Sequence, residues 1–585
     1  LSADLSKSAF ESDFTELHPL HNACSFMLRH IRRLSKPSSA CLPWYLSISA
    51  SSASLCPEPL GVALIFSTWN YPILLSLEPL IAAIAAGNAA LVKPSELSPA
   101  SSDLLSRLLP AYLDPSAVKI LQGGPSLCAD LLSQPWDKIF YTGSPAIARS
   151  VMASASAYLT PLTLELGGKC PVLVHGSCDL RLAARRIAYP KWSFAAGQTC
   201  IAPDYVVVEK SVCARFVEAL KQAMAEFGFS GGLSAPGEEE EEEEQEQELE
   251  AECAEKALII DPSPSPWNQE KHERPEESGN HGMEQGIKGQ NDHQRIKGQK
   301  NHHGIKGQKN HQGIKGQKSH HGIKGQKNHH GIKGQKNHHG IKGQRRSSGD
   351  GTGSARIVNA SHFLRLKNMI EDAVKGGAIE VKWWDREREK SSESEPQPEP
   401  EPETESGSES SPESSDPGIV TGQNQLRMRP TILLNPAPGS LVMTEEIFGP
   451  ILPIVEVDEI LGQGVGIVNS KPKPLAIYVF SADKTVAGAV AARTSSGSLV
   501  INDVGIQFTL DSVPFGGVGQ SGMGSYHGEY GFHTFSHLKP VVRIRGDFAP
   551  FRYPPYTARR KALLSSLCRH KNLKFFLIYL GIIKG

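Results

Sequence analysis

The chain has no Cys-x-x-Cys pair and no regular cysteine spacing, although it carries ten cysteines in 585 residues. That excludes a disulfide framework or a small zinc site as the organising device, and it points to a reducing compartment. Neither sign of charge dominates: 61 basic residues stand against 62 acidic ones. There is therefore no general electrostatic reason to bind nucleic acid. Long apolar runs are missing too, because the apolar stretch at 575–583 falls far short of the ~20 residues of a membrane-spanning helix. No signal-peptide pattern opens the chain, and its first residue is Leu1 rather than Met. We therefore expect a truncated N-terminus, with any targeting peptide outside the sequence.

What is present is a mosaic. Charge gathers in blocks that cannot belong to a packed core. A glutamate run at 238–244 is followed by a nonapeptide repeat close to Ile-Lys-Gly-Gln-Lys-Asn-His-His-Gly, with isoleucines at a constant step of nine from Ile287 to Ile341. One isoleucine per repeat buries too little surface to offset chain entropy, so disorder is expected across 231–353. Its His pairs suit loose metal contact and its lysines polyanions, but an expanded repeat without function is the preferred reading. The Glu/Ser/Pro-rich stretch 385–417 reads as a second disordered acidic loop. Without these two stretches about 430 residues remain, enough for two or three domains. Both insertions are expected at surface loops, where added length is tolerated.

Elsewhere short apolar runs alternate with polar turns and helical stretches. Val62–Phe66 leads to Trp69-Asn70-Tyr71-Pro72 and an Ala-rich helix, with Pro72 expected in its first turn. The run 89–92 leads to Lys93-Pro94-Ser95-Glu96 and a helix capped by Ser98. The runs 118–121, 138–141 and Leu162–Leu166 lead to Gly123-Gly124, Thr142-Gly143-Ser144 and Gly167-Gly168. Strand, polar turn and helix in repetition predict an α/β fold with a parallel sheet whose ligands bind beyond the strands' carboxyl ends. After the insertions, Arg356-Ile357-Val358-Asn359 predicts a helix start, and 429–433 reads as a strand.

Two short runs carry the chemistry. Cys200 lies in Ala196-Gly197-Gln198-Thr199-Cys200-Ile201-Ala202-Pro203, 35 residues after Glu165, which opens Glu165-Leu166-Gly167-Gly168-Lys169. Gly197 and Thr199 suit an exposed turn that presents a thiol, whereas Cys170 and Cys178 read as structural. With Trp69-Asn70 upstream, these runs in this order resemble the aldehyde dehydrogenase superfamily. The Gly-rich stretch Pro514–Gly528, with Thr534-Phe535-Ser536-His537 after it, resembles the class 3 branch that acts on fatty and aromatic aldehydes.

The resemblance implies a set of roles. Cys200 would be the nucleophile, forming a thiohemiacetal and then a thioester. Asn70 would stabilise the oxyanion with the Cys200 backbone N–H, and Glu165 would be the general base that releases a free acid. Lys93 and Glu96 would hold the adenosine ribose. Gly143 and Ser144 would meet the cofactor at a helix start beside Trp69, and Glu446 and Phe448 would bracket the nicotinamide ribose. A carboxylate near ribose hydroxyls leans toward NAD over NADP. His527 is read as structural, and no metal is expected. Where the family has Gly-Ser-Thr-x-x-Gly, this chain has Gly143-Ser144-Pro145-Ala146-Ile147-Ala148. A threonine hydroxyl is lost and a methyl added, at a cost expected in cofactor affinity rather than chemistry.

The implied architecture is the aldehyde dehydrogenase fold with a Rossmann-like nucleotide-binding domain (1–166). An α/β catalytic domain follows in three parts (167–230, 354–384 and 418–490). A small β oligomerisation extension (491–545) and a basic, apolar tail (546–585) complete it. The implied partners are an aldehyde substrate and a second copy in a homodimer, with no nucleic acid. The expected location is cytoplasmic, with an organelle or membrane surface as the alternative, reached through the tail. A cofactor-independent thiol esterase and a catalytically decayed binding protein are the rival readings.

Overall fold

The computed structural model describes residues 1–43, 46, 51–229, 355–382, 419–422, 425–546 and 550–584. The two stretches expected to be disordered, 231–353 and 385–417, lie outside the described residues. Five parallel strands form the first sheet, in the order Leu162–Leu166, Lys138–Gly143, Val62–Phe66, Ala89–Lys93 and Val118–Ile120. Gly522–Met523 adds antiparallel beside Leu162–Leu166. Each of the five lies within two residues of its expected position, because runs buried on both faces read as near-continuous apolar stretches. Helices Leu74–Ala85, Pro99–Tyr112, Pro125–Leu132 and Pro145–Ser156 make the crossovers.

Two local expectations need correction. The helix after Pro72 begins at Leu74 with Ile73 as N-cap, so Pro72 stands just outside the first turn. The Glu16 carboxylate sets that start by accepting from the N–H groups of Ile73 and Leu74 at 2.9 and 3.1 Å. Ser98 does occupy the N-cap of Pro99–Tyr112, but its hydroxyl turns back to the Ser95 carbonyl. Asp4 satisfies the helix instead, accepting from Ala100 and Ser101 N–H at 2.9 and 2.8 Å.

A second sheet runs Ile379–Glu380, Thr431–Leu434, Ile451–Val457, Tyr205–Glu209, Pro171–Val174, Ala476–Phe480 and Ser498–Ile501, parallel throughout except for the first. Ser38–Ser39, Ser52–Pro59 and Ser536–Arg543 form a separate antiparallel ribbon. Beyond it, the helices Ala558–Cys568 and Asn572–Tyr579 bury Leu563, Leu567, Phe575 and Ile578 against Phe551. They leave Leu573, Phe576, Tyr579, Leu580 and Ile582 exposed. Among the described residues no helix is long and apolar enough to cross a membrane.

A buried ion pair within the N-terminal segment hydrogen-bonds through both members to the stretch 70–74 that follows the strand Val62–Phe66. Lys7 Nζ lies 2.7 Å from Glu16 Oε1, with both side chains fully buried. Lys7 also donates to the Asn70 carbonyl at 2.7 Å and sits over the Tyr71 ring. Such a pair adds little over an apolar replacement, but losing one member strands a charge in a dry interior. Lys7→Ala is therefore expected to cost about 3–5 kcal/mol in denaturant unfolding. The double change Lys7→Met with Glu16→Gln should recover most of that loss.

Candidate active site

The Cys200 turn is built on strained backbone. Ala195, Ala196 and Gly197 take φ of 46°, 50° and 76° in succession. A side chain on Gly197 would strike the carbonyls of Gly449 and Lys191. Non-glycine residues hold left-handed φ only where their surroundings over-determine it. Here the Ala195 N–H donates to Glu11 Oε1 at 2.6 Å. Gln198, fully buried, donates through Nε2 to the carbonyls of Ala195 and Arg356 at 2.8 and 2.9 Å and accepts from Val358 N–H at 3.0 Å. The exposed turn expected from the sequence is thus an interior one: Ala195–Gln198 are buried, and Cys200 is only half-buried.

Asn70 faces this turn from the first sheet. It is 1% exposed, and its Nδ2 donates to the Gln198 carbonyl at 2.9 Å, while its Oδ1 has no partner. The neighbouring Tyr71 hydroxyl meets Thr199 Oγ1 at 2.7 Å. Side-chain and main-chain bonds therefore fix the two loops against each other next to the thiol.

Glu165 ends the strand Leu162–Leu166, between Thr142 and Gly522 on the flanking strands. It is 4% exposed and neither carboxyl oxygen has a hydrogen-bond partner. Burial, then the nearby Glu78, pushes its pKa well above the ordinary carboxylate value. The following Gly-Gly admits a second carboxylate. A Cβ on Gly167 would overlap the Glu446 carboxylate, and Gly168, at φ 148°, donates its N–H to Glu446 Oε1 at 2.7 Å. Burial raises Glu446 to about 7 against the lowering effect of that bond. Burial, then Glu446 and Glu165, pushes the Cys200 thiol up to about 12. At rest the thiol is neutral.

Lys169 positions the Glu446 loop. Its ammonium pairs with Asp204 and donates to the carbonyls of Val442 and Glu445 at 2.8 Å each, while Asp204 accepts from Ile447 N–H at 2.9 Å. Arg365 holds the same loop through the carbonyls of Glu446 and Ile447. Phe448, at φ 50°, sets its ring against Trp69 with centroids 5.5 Å apart. Lys7, Glu11, Gln198, Lys169, Asp204 and Arg365 were not singled out in the sequence. Charged residues without periodicity read as solvated there, and nothing local signals their distant partners.

Cys200 and Glu165 open into one cavity of about 530 Å³. Phe14, Tyr71, Tyr189, Phe194, Phe227, Phe508, Phe515 and Tyr526 line it, and Arg185, Arg186 and Asp503 are its charged residues besides Glu165. Lys93, Glu96, Gly143 and Ser144 line no part of that cavity. They lie at the carboxyl ends of the first-sheet strands, along the same edge as Trp69 and Asn70. Lys93 is buried and ion-paired with the more exposed Glu96. Burial raises the Glu96 carboxyl, but the Lys93 hydrogen bond and charge outweigh it and hold the pKa below its ordinary value. Ser144 is the N-cap of Pro145–Ser156, with Pro145 in the first turn. Ala148 is 1% exposed and packs with Leu64, Phe66 and Leu164, so its added methyl fills helix–sheet packing.

A half-buried thiol and an unpartnered, buried carboxyl open into one apolar cavity, beside an α/β sheet edge of the kind that holds a nucleotide. Comparison with known proteins narrows what this arrangement serves. The profile of the aldehyde dehydrogenase family matches residues 1–236 and 413–541. Aldehyde dehydrogenase family 3 member H1 of Arabidopsis thaliana is 32% identical over 587 residues, covering 100% of this chain and 88% of its own length. Aldehyde dehydrogenase family 3 member A2 of Mus musculus is 32% identical over 558 residues, covering 95% and 82%. A substrate-bound structure of AldH from Staphylococcus aureus superimposes with a TM-score of 0.67 at 26% identity, covering 97% of this chain and 89% of that one. The chain belongs to the aldehyde dehydrogenase family and has its fold. Its activity is aldehyde oxidation with a nicotinamide dinucleotide.

The electrostatics of the thiol are testable without cofactor. A neutral residue at Glu446 removes a negative neighbour, so the thiolate is favoured and the Cys200 pKa falls. Glu446→Gln is expected to speed iodoacetamide alkylation of Cys200 near neutral pH by about three- to tenfold, since reactivity follows the thiolate fraction. Peptide-resolved mass spectrometry separates Cys200 from the exposed Cys24, Cys41 and Cys568.

Proposed function

We propose that this chain oxidises medium- and long-chain aliphatic aldehydes and aromatic aldehydes to free carboxylic acids, with NAD preferred and NADP accepted. One observation carries the reading: Cys200 and the unpartnered Glu165 share an aromatic-lined cavity of about 530 Å³. A cavity in that size class buries most of a small organic ligand, and its apolar lining selects for hydrocarbon rather than for sugar or phosphate.

The cofactor edge fits a dinucleotide. At the N-terminus of Pro145–Ser156, Pro145 has no N–H and Ile147 N–H is taken by Ser144 Oγ, which leaves the Ala146 N–H for phosphate; the Lys93–Glu96 pair offers donor and acceptor to ribose hydroxyls. When bound, the oxidised nicotinamide accepts the hydride of the aldehyde. The remaining work falls to the chain. From the resting state Cys200 gives up its proton to solvent in the cavity, and its sulfur adds to the carbonyl carbon. Asn70 Nδ2, with one N–H on Gln198, has a second for the developing oxyanion, and the Cys200 backbone N–H is the other donor. Glu165 takes a proton from the water that attacks the thioester carbon; the C–S bond breaks and the acid departs. Retention of this base favours a free acid as the product.

We extend the proposal to the domains and partners. The first sheet is the nucleotide-binding domain, the second the catalytic domain, and the antiparallel ribbon the oligomerisation extension. The ribbon's outer strand Ser536–Arg543 leaves Leu538, Val541 and Val542 exposed, an edge that a second copy would cover in a homodimer. The tail's exposed apolar residues, interspersed with Lys571 and Lys574, suit peripheral contact with an anionic membrane surface. The described cysteines are all free, which agrees with a reducing cytoplasmic setting.

Absorbance at 340 nm with hexanal and either NAD+ or NADP+ tests the reading. Turnover should vanish in Cys200→Ala, and surviving turnover would overturn it. Asn70→Ala should lower kcat about 10²–10³-fold, the usual loss for one oxyanion donor. Glu96→Gln should narrow the gap between the two cofactors, because it removes the carboxylate that repels a 2′-phosphate.

A further inference from the structure

Glu78 is a buried carboxyl that the chemistry above leaves unused. It lies on the helix Leu74–Ala85, 7% exposed, and its Oε2 has no hydrogen-bond partner. Its Oε1 is 3.3 Å from His527 Nε2. His527 is itself 3% exposed and fixed at φ 76°. Its ring stacks on Phe515 at 4.9 Å and meets the edges of Phe508 and Tyr526 at 5.0 and 4.6 Å. The imidazole is clamped on three sides, with its Nε2 near the carboxyl but without a hydrogen-bond partner.

Separate cavities on either side of this pair share lining residues with it and with its neighbours. Tyr526 is shared between the aldehyde cavity, which holds Glu165, and a void of about 10 Å³ against Glu78 and His527. That void is about the size of one water. Glu78 is shared in turn with a second cavity of about 550 Å³, lined among others by Asp511, Asp13 and His18. The titratable groups around Glu78 are therefore His527, Tyr526, Glu165 and Asp511, and Asp511 is faced by Arg29 and His30.

We propose that Glu78 and His527 form a proton-transfer pair that carries the proton collected by Glu165 out to the polar cavity at Asp511, away from the apolar aldehyde path. This rests on the reading of Glu165 as general base. Water gives its proton to Glu165, its oxygen bonds to the thioester carbon, and the C–S bond breaks with its electron pair passing to sulfur. The proton on Glu165 then moves to the Glu78–His527 pair, which releases one proton toward Asp511, and Glu165 is a carboxylate again. The sulfur is left as a thiolate that adds to the next carbonyl, so charge and atoms balance over the step with no further reactant. Burial, then Asp511, raises Glu78 to about 8, and burial lowers His527 to about 3. At neutral pH the pair thus holds one proton, on the Glu78 carboxyl beside a neutral imidazole, the two lying close without a hydrogen bond at rest. An acid titrating near the working pH is suited to pass it on.

Hydrolysis of para-nitrophenyl acetate by the cofactor-free protein separates the steps: the burst reports acylation of Cys200, and the later steady rate reports deacylation. Glu78→Gln is expected to keep the burst and slow deacylation about tenfold or more, the low end of a positioned acid–base group. It should also flatten the pH dependence of deacylation between neutrality and mild alkali. Glu78→Asp should restore part of both, and His527→Gln should slow deacylation as Glu78→Gln does. Deacylation at the wild-type rate and pH profile in Glu78→Gln, or equal loss of burst and deacylation, would overturn the pair. Glu165→Gln distinguishes the two readings. If it stops deacylation while Glu78→Gln does not, only the proton pair falls; if it leaves deacylation unchanged, both fall.

Discussion

Desolvation of acids governs this site. Burial is the largest cause of the raised pKa of Cys200, Glu165 and Glu446, and the two carboxyls add to the rise at the thiol. Of the buried ammonium groups nearby, Lys169 pairs with Asp204 and Lys7 with Glu16, and burial lowers Lys191 to about 8. A thiol held neutral is a poor nucleophile and a poor target for oxidants. It becomes reactive once its proton is taken away or a positive charge arrives.

That chemistry depends on geometry held from a distance. The thiol turn keeps three consecutive left-handed residues, a conformation costing of order 1–3 kcal/mol for each non-glycine member. Glu11 and Gln198 satisfy its backbone, and Lys7 and Glu16 satisfy the facing Asn70 loop. A cooperative set of buried charges thus spans the N-terminal segment, the first sheet and the nucleophile turn. Removing one member disturbs loops that it does not touch.

The first sheet was legible in the sequence because each of its strands is a short apolar run closed by a polar turn. The site was legible because a few short runs confine Cys200, Glu165, Asn70 and Glu446 to recognisable surroundings. What the sequence withheld has one physical character: it depends on partners far along the chain. Asp4 caps a helix nearly a hundred residues away, and Pro72 lies outside its helix because Glu16 sets the first turn. His527 reads as a structural histidine until Glu78 is seen opposite it. The turn at Cys200 looked exposed because glycine and threonine signal turns, and nothing local reveals that other segments cover it.

The same long-range logic bears on the segment that begins at Ala355, far along the sequence from the nucleophile turn. Its residues are not peripheral. Ala355 and Ile357 are fully buried, the Arg356 carbonyl and Val358 N–H both bond the Gln198 side chain, and Arg365 holds the Glu446 loop. Gln198 would lose two of its three side-chain partners if this segment failed to dock. The docking residues 355–358 therefore cannot vary freely, and the nucleophile turn is the reason.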